Sequence, residues 1–472
     1  MTSRGSPQPN VPGRGIVASY EPRFWALAAG IGVATGAVGA ALMKLLVAVE
    51  HAAWSFTHGT LLEAARAAPA WQHIVVLVLA GLISGIGALV LLRLRGSGGG
   101  EISEALWLEG ARLPLVSSIA RGTQSIVTVG MGASLGREQG PQLAGAAMAS
   151  WAATWGELPA WQRRLLVACG TGAGMAAVYN VPLGGALFAI EVLLGTLALP
   201  LVLPALVTSL IATAVAWLVL NDRPTYQVPG YSVTVSLIVW AALIGPAAGL
   251  VAVGWVRVIA RVNRMRPRRR GRRFTAPLVV FAALGALSIP YPELLGNGSD
   301  VVQLAALGKL SLGLLAVLVV LKPLATAACL GSGSPGGLFT PTLTLGVLFG
   351  GVLGHLWALL FDGTPAGAYA LVGGTGVLAA AMQGPLAAIV LFLELTRHTD
   401  ALMVPILIAV TEATVVARLV RAPSIYSARL SVEPEAAAQT PDPVDGYGRD
   451  LLAHLETDAD AERAGRASRP RG

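Results

Sequence analysis

"NVPLGGALFAIE" at Asn180–Glu191 and "QGPLAAIVLFLE" at Gln383–Glu394 are two versions of one segment, 203 residues apart. Two further pairs precede them in each half at nearly the same offset. "GREQGP" at Gly136–Pro141 matches "GGLFTP" at Gly336–Pro341, and "GSGGG" at Gly96–Gly100 matches "GNGSD" at Gly296–Asp300, both 200 residues apart. Three ordered matches at a nearly constant offset mark an internal duplication, the organisation of many transporters. The flanks differ in charge: Gly96 follows Arg93 and Arg95, whereas Gly296 lies between Glu293 and Asp300. Basic against acidic flanks place the two halves on opposite membrane sides and favour an inverted repeat over two parallel halves.

Composition requires a membrane. Of 472 residues, 54% are hydrophobic and only 12% charged, about half the usual charged share, and mean hydropathy is +0.68. Polar surface is too scarce to cover a soluble globule, which excludes a disordered chain, a disulfide-knit secreted domain and an ordinary cytosolic enzyme. Apolar runs fall near 24–49, 72–92, 114–133, 141–156, 165–178, 183–220, 233–260, 274–289, 301–329, 338–361, 366–382, 385–396 and 401–420. They predict an all-α integral membrane protein of roughly ten or more helical segments. Several runs are short or broken by Gly and Pro, so their free backbone groups must be buried in protein or line a polar cavity. Residues 1–20 read as a flexible arm, 21–430 as the membrane domain (repeats about 21–230 and 231–430), and 431–472 as a short polar tail too small for a regulatory domain.

Net charge is +8, and only three of 33 basic residues are Lys, the rest Arg. The Arg clusters, densest at Arg264–Arg273, flank apolar spans. They read as topology signals rather than a nucleic-acid surface and put both termini in the cytoplasm. Heavy Ala, Gly and Arg use with few Lys suggests a GC-rich bacterial genome, and the expected location is a bacterial plasma membrane. Cys169 and Cys329 lie in apolar sequence and suggest neither a disulfide framework nor a metal site. The six His are scattered, and HExxH and GxSxG are absent, which counts against an intramembrane enzyme. No cofactor is expected.

The glycine motifs carry the chemistry. Each precedes an apolar helical run, so backbone N–H groups at a helix N-terminus are left to meet an anion, with the dipole favouring negative charge. Gly96, Gly98, Gly136, Gly140, Gly336 and Gly337 let the backbone approach it closely. Glu138, after Arg137, lies in apolar sequence, where an ionisable group is a functional candidate by default. Its carboxylate either occupies an anion site, to be displaced by an anion or by protonation, or forms a structural capping pair with Arg137. Ser97 and Tyr426 offer hydroxyls; a loop cap and an interfacial anchor are their plain alternatives. Phe339 reads as packing. Glu191 and Glu394 hold equivalent repeat positions near helix ends, which favours structural pairing. Lys322, Glu412 and Arg121 are either buried partners or interfacial.

These residues together resemble the CLC family of chloride channels and chloride/proton antiporters, from about Phe24 to Leu430. "GSGGGE" at Gly96–Glu101 is similar to the family's GSGIPE, "GREQGP" to GREGP, "GSGSPGGLFTP" at Gly331–Pro341 to GxGxxGGxFxP, and "IYSA" at Ile425–Ala428 to the segment with the inner tyrosine. The resemblance implies an inverted-repeat CLC-type bundle and a homodimer with a pathway for chloride and related small anions in each subunit. It implies Glu138 as the outer gate. Ser97, Gly98, Tyr426 and the N–H groups of Leu338 and Phe339 would lie around a central anion. Three departures stand out: Gly99–Gly100 replaces Ile-Pro, Gln139 lengthens the gate motif, and Val192 occupies the position where antiporters usually carry an inner proton-transfer acid. Valine cannot carry a proton, so the expectation is channel-like conduction. Proton exchange by another route, with Glu191 as the nearest acid, is the alternative.

Overall fold

The structure is a computed structural model and describes residues 20–94, 101–361, 364–397 and 400–430. The first run of helices is α1 (Pro22–Trp54), α2 (Leu61–Ala67), α3 (Ala70–Leu94), α4 (Ile102–Trp107), α5 (Leu115–Gly130), α6 (Gln139–Trp155), α7 (Ala160–Tyr179), α8 (Pro182–Leu187) and α9 (Leu199–Trp217), with a π-helical turn at Phe188–Leu193 extending α8. The second run is α10 (Val235–Arg264), α11 (Arg270–Leu287), α12 (Ser299–Ala306), α13 (Leu312–Gly331), α14 (Phe339–Ala358), α15 (Ala366–Met382), α16 (Pro385–Thr396) and α17 (Met403–Leu419). Six of them (α1, α3, α9, α10, α13 and α14) are long and apolar enough to cross a membrane. The fold is all-α, as the apolar runs predict. Two of those runs divide. The 183–220 run is broken between α8 and α9 near Gly195, and the 301–329 run between α12 and α13 at Gly308, both glycines at positive φ.

The duplication recurs in the packing. α6 lies on α7 as α14 lies on α15; α1 on α9 as α10 on α17; α5 on α6 as α13 on α14. α7 and α15 are buried along nearly their whole length, whereas α3 turns Trp71, Val75, Leu79, Ile86 and Val90 outward, as lipid-facing residues must. Small residues make the central contacts possible: a Cβ on Gly145 or Gly170 would collide with the other's backbone, and the same holds between Gly350 and Gly373.

The segments that reveal the repeat are joined by a reciprocal exchange. Glu191, ending the α8 segment, accepts the N–H groups of Leu386 and Ala387 at the start of α16. Glu394, near the end of α16, accepts those of Leu183 (3.1 Å) and Gly184 (2.6 Å) at the start of α8. Each carboxylate thus neutralises the positive end of the other helix. The exchange requires the two helices to run antiparallel, as an inverted repeat demands. Asn180 and Gln383, one repeat apart, both adopt left-handed φ (59° and 58°) to end α7 and α15 before the prolines that restart the chain.

Candidate functional site

The candidate site lies at the second meeting of the repeats. Gly136 and Gly337 exchange two backbone hydrogen bonds, Gly136 N–H to Gly337 O at 2.8 Å and Gly337 N–H to Gly136 O at 2.9 Å. This bridge brings the N-termini of α6 and α14 together. Both positive dipole ends and several donor N–H groups therefore converge on one buried spot.

Glu138, the residue that caps α6, projects into that spot and is 1% exposed. Its Oε1 accepts the Phe339 N–H at 2.8 Å. Its Oε2 accepts the Tyr179 hydroxyl at 3.0 Å. The Tyr179 oxygen is also 2.6 Å from Thr340 Oγ1. With the tyrosine proton committed to Glu138, Thr340 is the donor to Tyr179. Glycine is required around the carboxylate: a Cβ at Gly337 would overlap Glu138 Oε1, and one at Gly136 would overlap both oxygens. Gln139, the extra residue of the gate motif, is absorbed in the first turn of α6, where the Gln142 N–H still reaches Glu138 O at 3.1 Å. The capping alternative for Arg137–Glu138 does not describe this geometry. The Arg137 guanidinium instead lies over the Tyr179 ring, 5.1 Å from its centroid.

The other expected residues fall as follows. Leu338 caps α14 and is buried; the Phe339 ring packs 5.4 Å from that of Tyr179. Gly336 lies against Leu135, and Gly140 against Gly122 and Ile126. Tyr426 packs edge-on against Phe188, ring centroids 5.3 Å apart. Val192, 2% exposed, lies in the π-helical turn against Gly384. Gly96, Ser97 and Gly98 lie outside the described residues. Tyr179 and Thr340 escaped the sequence reading. The available signal was the repeat itself, because Tyr179 stands 203 residues before Met382 and is the polar member of that pair.

Beside the start of α6 lies a cavity of about 200 Å³ lined by Glu50, His51, Arg137, Glu293, Ser299 and Asp300 among others. Lys322, buried in α13, donates to the carbonyls of Leu294 (2.9 Å), Leu295 (3.0 Å) and Gly296 (2.9 Å), holding the chain that forms one wall of it. The Gly296 N–H in turn reaches Gly132 O at 3.0 Å, four residues before the gate motif.

A second polar centre gathers around Glu101, the N-cap of α4. Its Oε1 accepts from Arg429 (2.8 Å), Arg121 (2.9 Å) and Arg266 (3.2 Å). Burial alone would push this carboxyl up, but Arg429, Arg121 and Arg266 outweigh it and hold it at about 2. Burial lowers the Arg266 guanidinium to about 10 although Glu101 opposes the shift. Arg429 follows Tyr426 by three residues, so this centre fastens the Tyr426 segment to α4, α5 and the end of α10.

Glu412 faces Gly245 of α10, with Oε2 buried and no hydrogen-bond partner among the described residues.

Residues 82–418 match the family model described as voltage gated chloride channel. A ClcB-like chloride channel protein of Ralstonia nicotianae is 32% identical over 382 residues, spanning 79% of this chain and 88% of that one. An H(+)/Cl(-) exchange transporter, ClcA, of Salmonella paratyphi B is 29% identical over 428 residues, 86% of this chain and 87% of that one. The crystal structure of a slow cyanobacterial Cl−/H+ antiporter superposes with a TM-score of 0.74 at 21% identity, over 89% of this chain and 99% of that one, which establishes the shared fold. With the repeat, the paired glycine loops and a match over most of its length, the chain belongs to the CLC, or voltage gated chloride channel, family.

Proposed function

We propose that the protein conducts chloride through a pathway that Glu138 closes, without obligatory proton exchange. The carrying observation is the Glu138 carboxylate seated on the Phe339 N–H and the Tyr179 hydroxyl, donors that suit an anion equally well. Protonation of Glu138, or competition by chloride, releases it from those donors. In this reading Ser97, Gly98, Tyr426 and the Leu338 and Phe339 N–H groups serve the anion further in, and Arg137 keeps the approach positive. Val192 supports uncoupled conduction, because a buried valine has no proton to give. Glu191, the nearest acid, engages both oxygens with α16, which disfavours it as a mobile proton carrier.

Chloride/proton exchange is the second reading, favoured by the exchange-transporter name of the ClcA relative. We further read the protein as a homodimer in a bacterial plasma membrane, with both termini cytoplasmic and the repeats meeting near residue 230. Simultaneous chloride and proton flux from proteoliposomes, with and without valinomycin, separates the two readings. Chloride movement without proton movement supports the channel. Protons driven uphill at a fixed ratio establish the antiporter.

A further inference from the structure

The Tyr179 hydroxyl does more than fill space beside the gate. It ends α7, is 1% exposed, and among the described residues has two hydrogen-bond partners, Glu138 Oε2 at 3.0 Å and Thr340 Oγ1 at 2.6 Å. Thr340 is itself buried, one residue beyond the Phe339 N–H that holds the other carboxylate oxygen. The two donors therefore grip Glu138 from different helices, α7 and α14, at the point where the repeats join. A tyrosine carries one proton and accepts through its oxygen. Donation from Thr340 occupies that oxygen and turns the tyrosine proton towards the carboxylate.

We infer that Tyr179 is a shared anion donor: it holds the Glu138 carboxylate when the pathway is shut and donates to the chloride that takes the carboxylate's place, with Thr340 as the residue that orients it. Both occupants are anions and both need donors in a dry site, where an unpaired partner is costly. The inference rests on Glu138 acting as the gate. Charged or titratable groups acting on Glu138 are Arg137 beside it, Tyr179 from α7, Tyr226 from the 218–234 segment and Tyr426 after α17. Of these, only Tyr179 makes a hydrogen bond to the carboxylate among the described residues.

The test is chloride efflux from proteoliposomes, measured against pH and against chloride concentration, for wild type, Tyr179→Phe, Thr340→Val and Glu138→Gln. One donor to a charged acceptor corresponds to a shift of about one to two pH units. In Tyr179→Phe, half-maximal flux moves to higher pH by that amount, and half-saturating chloride, measured in acid where the protonated Glu138 no longer competes for the donor, rises about tenfold or more. Thr340→Val shifts both in the same direction by less, since the tyrosine proton is still present. A Tyr179→Phe protein with wild-type melting temperature, pH profile and chloride dependence overturns the inference. A pH shift with unchanged chloride dependence overturns the shared role. Glu138→Gln separates the two levels of the argument: if it keeps the wild-type pH profile, the gate assignment has failed and the tyrosine reading falls with it.

Discussion

Gly337→Ala is the sharpest perturbation of the proposed gate. The new methyl group would occupy the place of Glu138 Oε1 and Cδ. Gly337 has no positive φ, so alanine fits its backbone. The two bridge hydrogen bonds to Gly136 are backbone only and survive. The carboxylate must therefore move, and the Phe339 N–H (2.8 Å) and Tyr179 hydroxyl (3.0 Å) lose it together. Hydrogen bonds to a charged group contribute about 1.5–3 kcal/mol each, so the shut state loses about 3–6 kcal/mol. At about 1.4 kcal/mol per tenfold, the gate equilibrium shifts towards open by roughly a hundredfold or more. In chloride efflux from proteoliposomes, the variant at neutral pH reaches the flux that wild type shows only in acid, and its pH dependence flattens. A folded Gly337→Ala protein with wild-type flux and pH profile refutes the reasoning, because the carboxylate would then not need that space. Flux lowered at every pH also refutes it, because the methyl group rather than the carboxylate would control passage. Gly136→Ala, whose methyl would meet both Glu138 oxygens, gives the same direction of change.

Glu101→Gln removes the carboxylate that Arg121, Arg266 and Arg429 share; breaking such a buried set costs about 3–5 kcal/mol, read as a lower melting temperature in detergent. The folded Glu101 carboxyl is depressed from 4.5 to about 2, so its stabilisation is complete above about 4.5 and is lost as pH falls towards 2, about 3 kcal/mol in all. A melting-temperature titration should show that loss in wild type and lack it in Glu101→Gln. Lys322→Met leaves three buried carbonyls without their donor and is expected to destabilise by several kcal/mol; unchanged melting would show that water replaces the ammonium. Glu191→Gln and Glu394→Gln weaken equivalent helix caps, so both should lower the melting temperature by similar amounts, about 1 kcal/mol each. Loss of proton movement in Glu191→Gln alone would instead favour the exchanger.

Much of the fold was legible because its signals are local and repeated. Glu191 and Glu394 occupy equivalent positions at the ends of matched segments, and a carboxylate at a helix end has few roles besides meeting another helix's N–H groups. Glu138 was legible because a carboxylate in apolar sequence needs a compensating partner. The element breaks at Gly195 and Gly308 were not, because hydropathy stays high across them while the backbone turns. The short helices α2 and α4 were missed for the opposite reason: six or seven residues are too few for periodicity to register. The three-arginine centre was hidden too. Glu101, Arg121, Arg266 and Arg429 are spread over more than 300 residues, and nothing in their spacing announces a common carboxylate.

The site itself arises where the repeat is broken chemically but kept geometrically. The bridge between Gly136 and Gly337 treats both halves alike, each glycine giving one N–H and one carbonyl. Two residues on, the halves differ. The first contributes Glu138 and the second, at the same 200-residue offset, Leu338. A carboxylate in both places would set two anions against each other in a dry cleft, which the Coulomb cost forbids. Apolar residues in both would leave two helix N-termini facing each other with no anion of the chain's own. One carboxylate against two N-termini satisfies the donors, and in the proposed gating role its movement would leave them to a chloride. Tyr179 against Met382 repeats the pattern one helix away, since only the half that supplies the carboxylate also supplies the hydroxyl that holds it. The inverted scaffold is thus made chemically asymmetric at this spot by the two pairs Glu138/Leu338 and Tyr179/Met382.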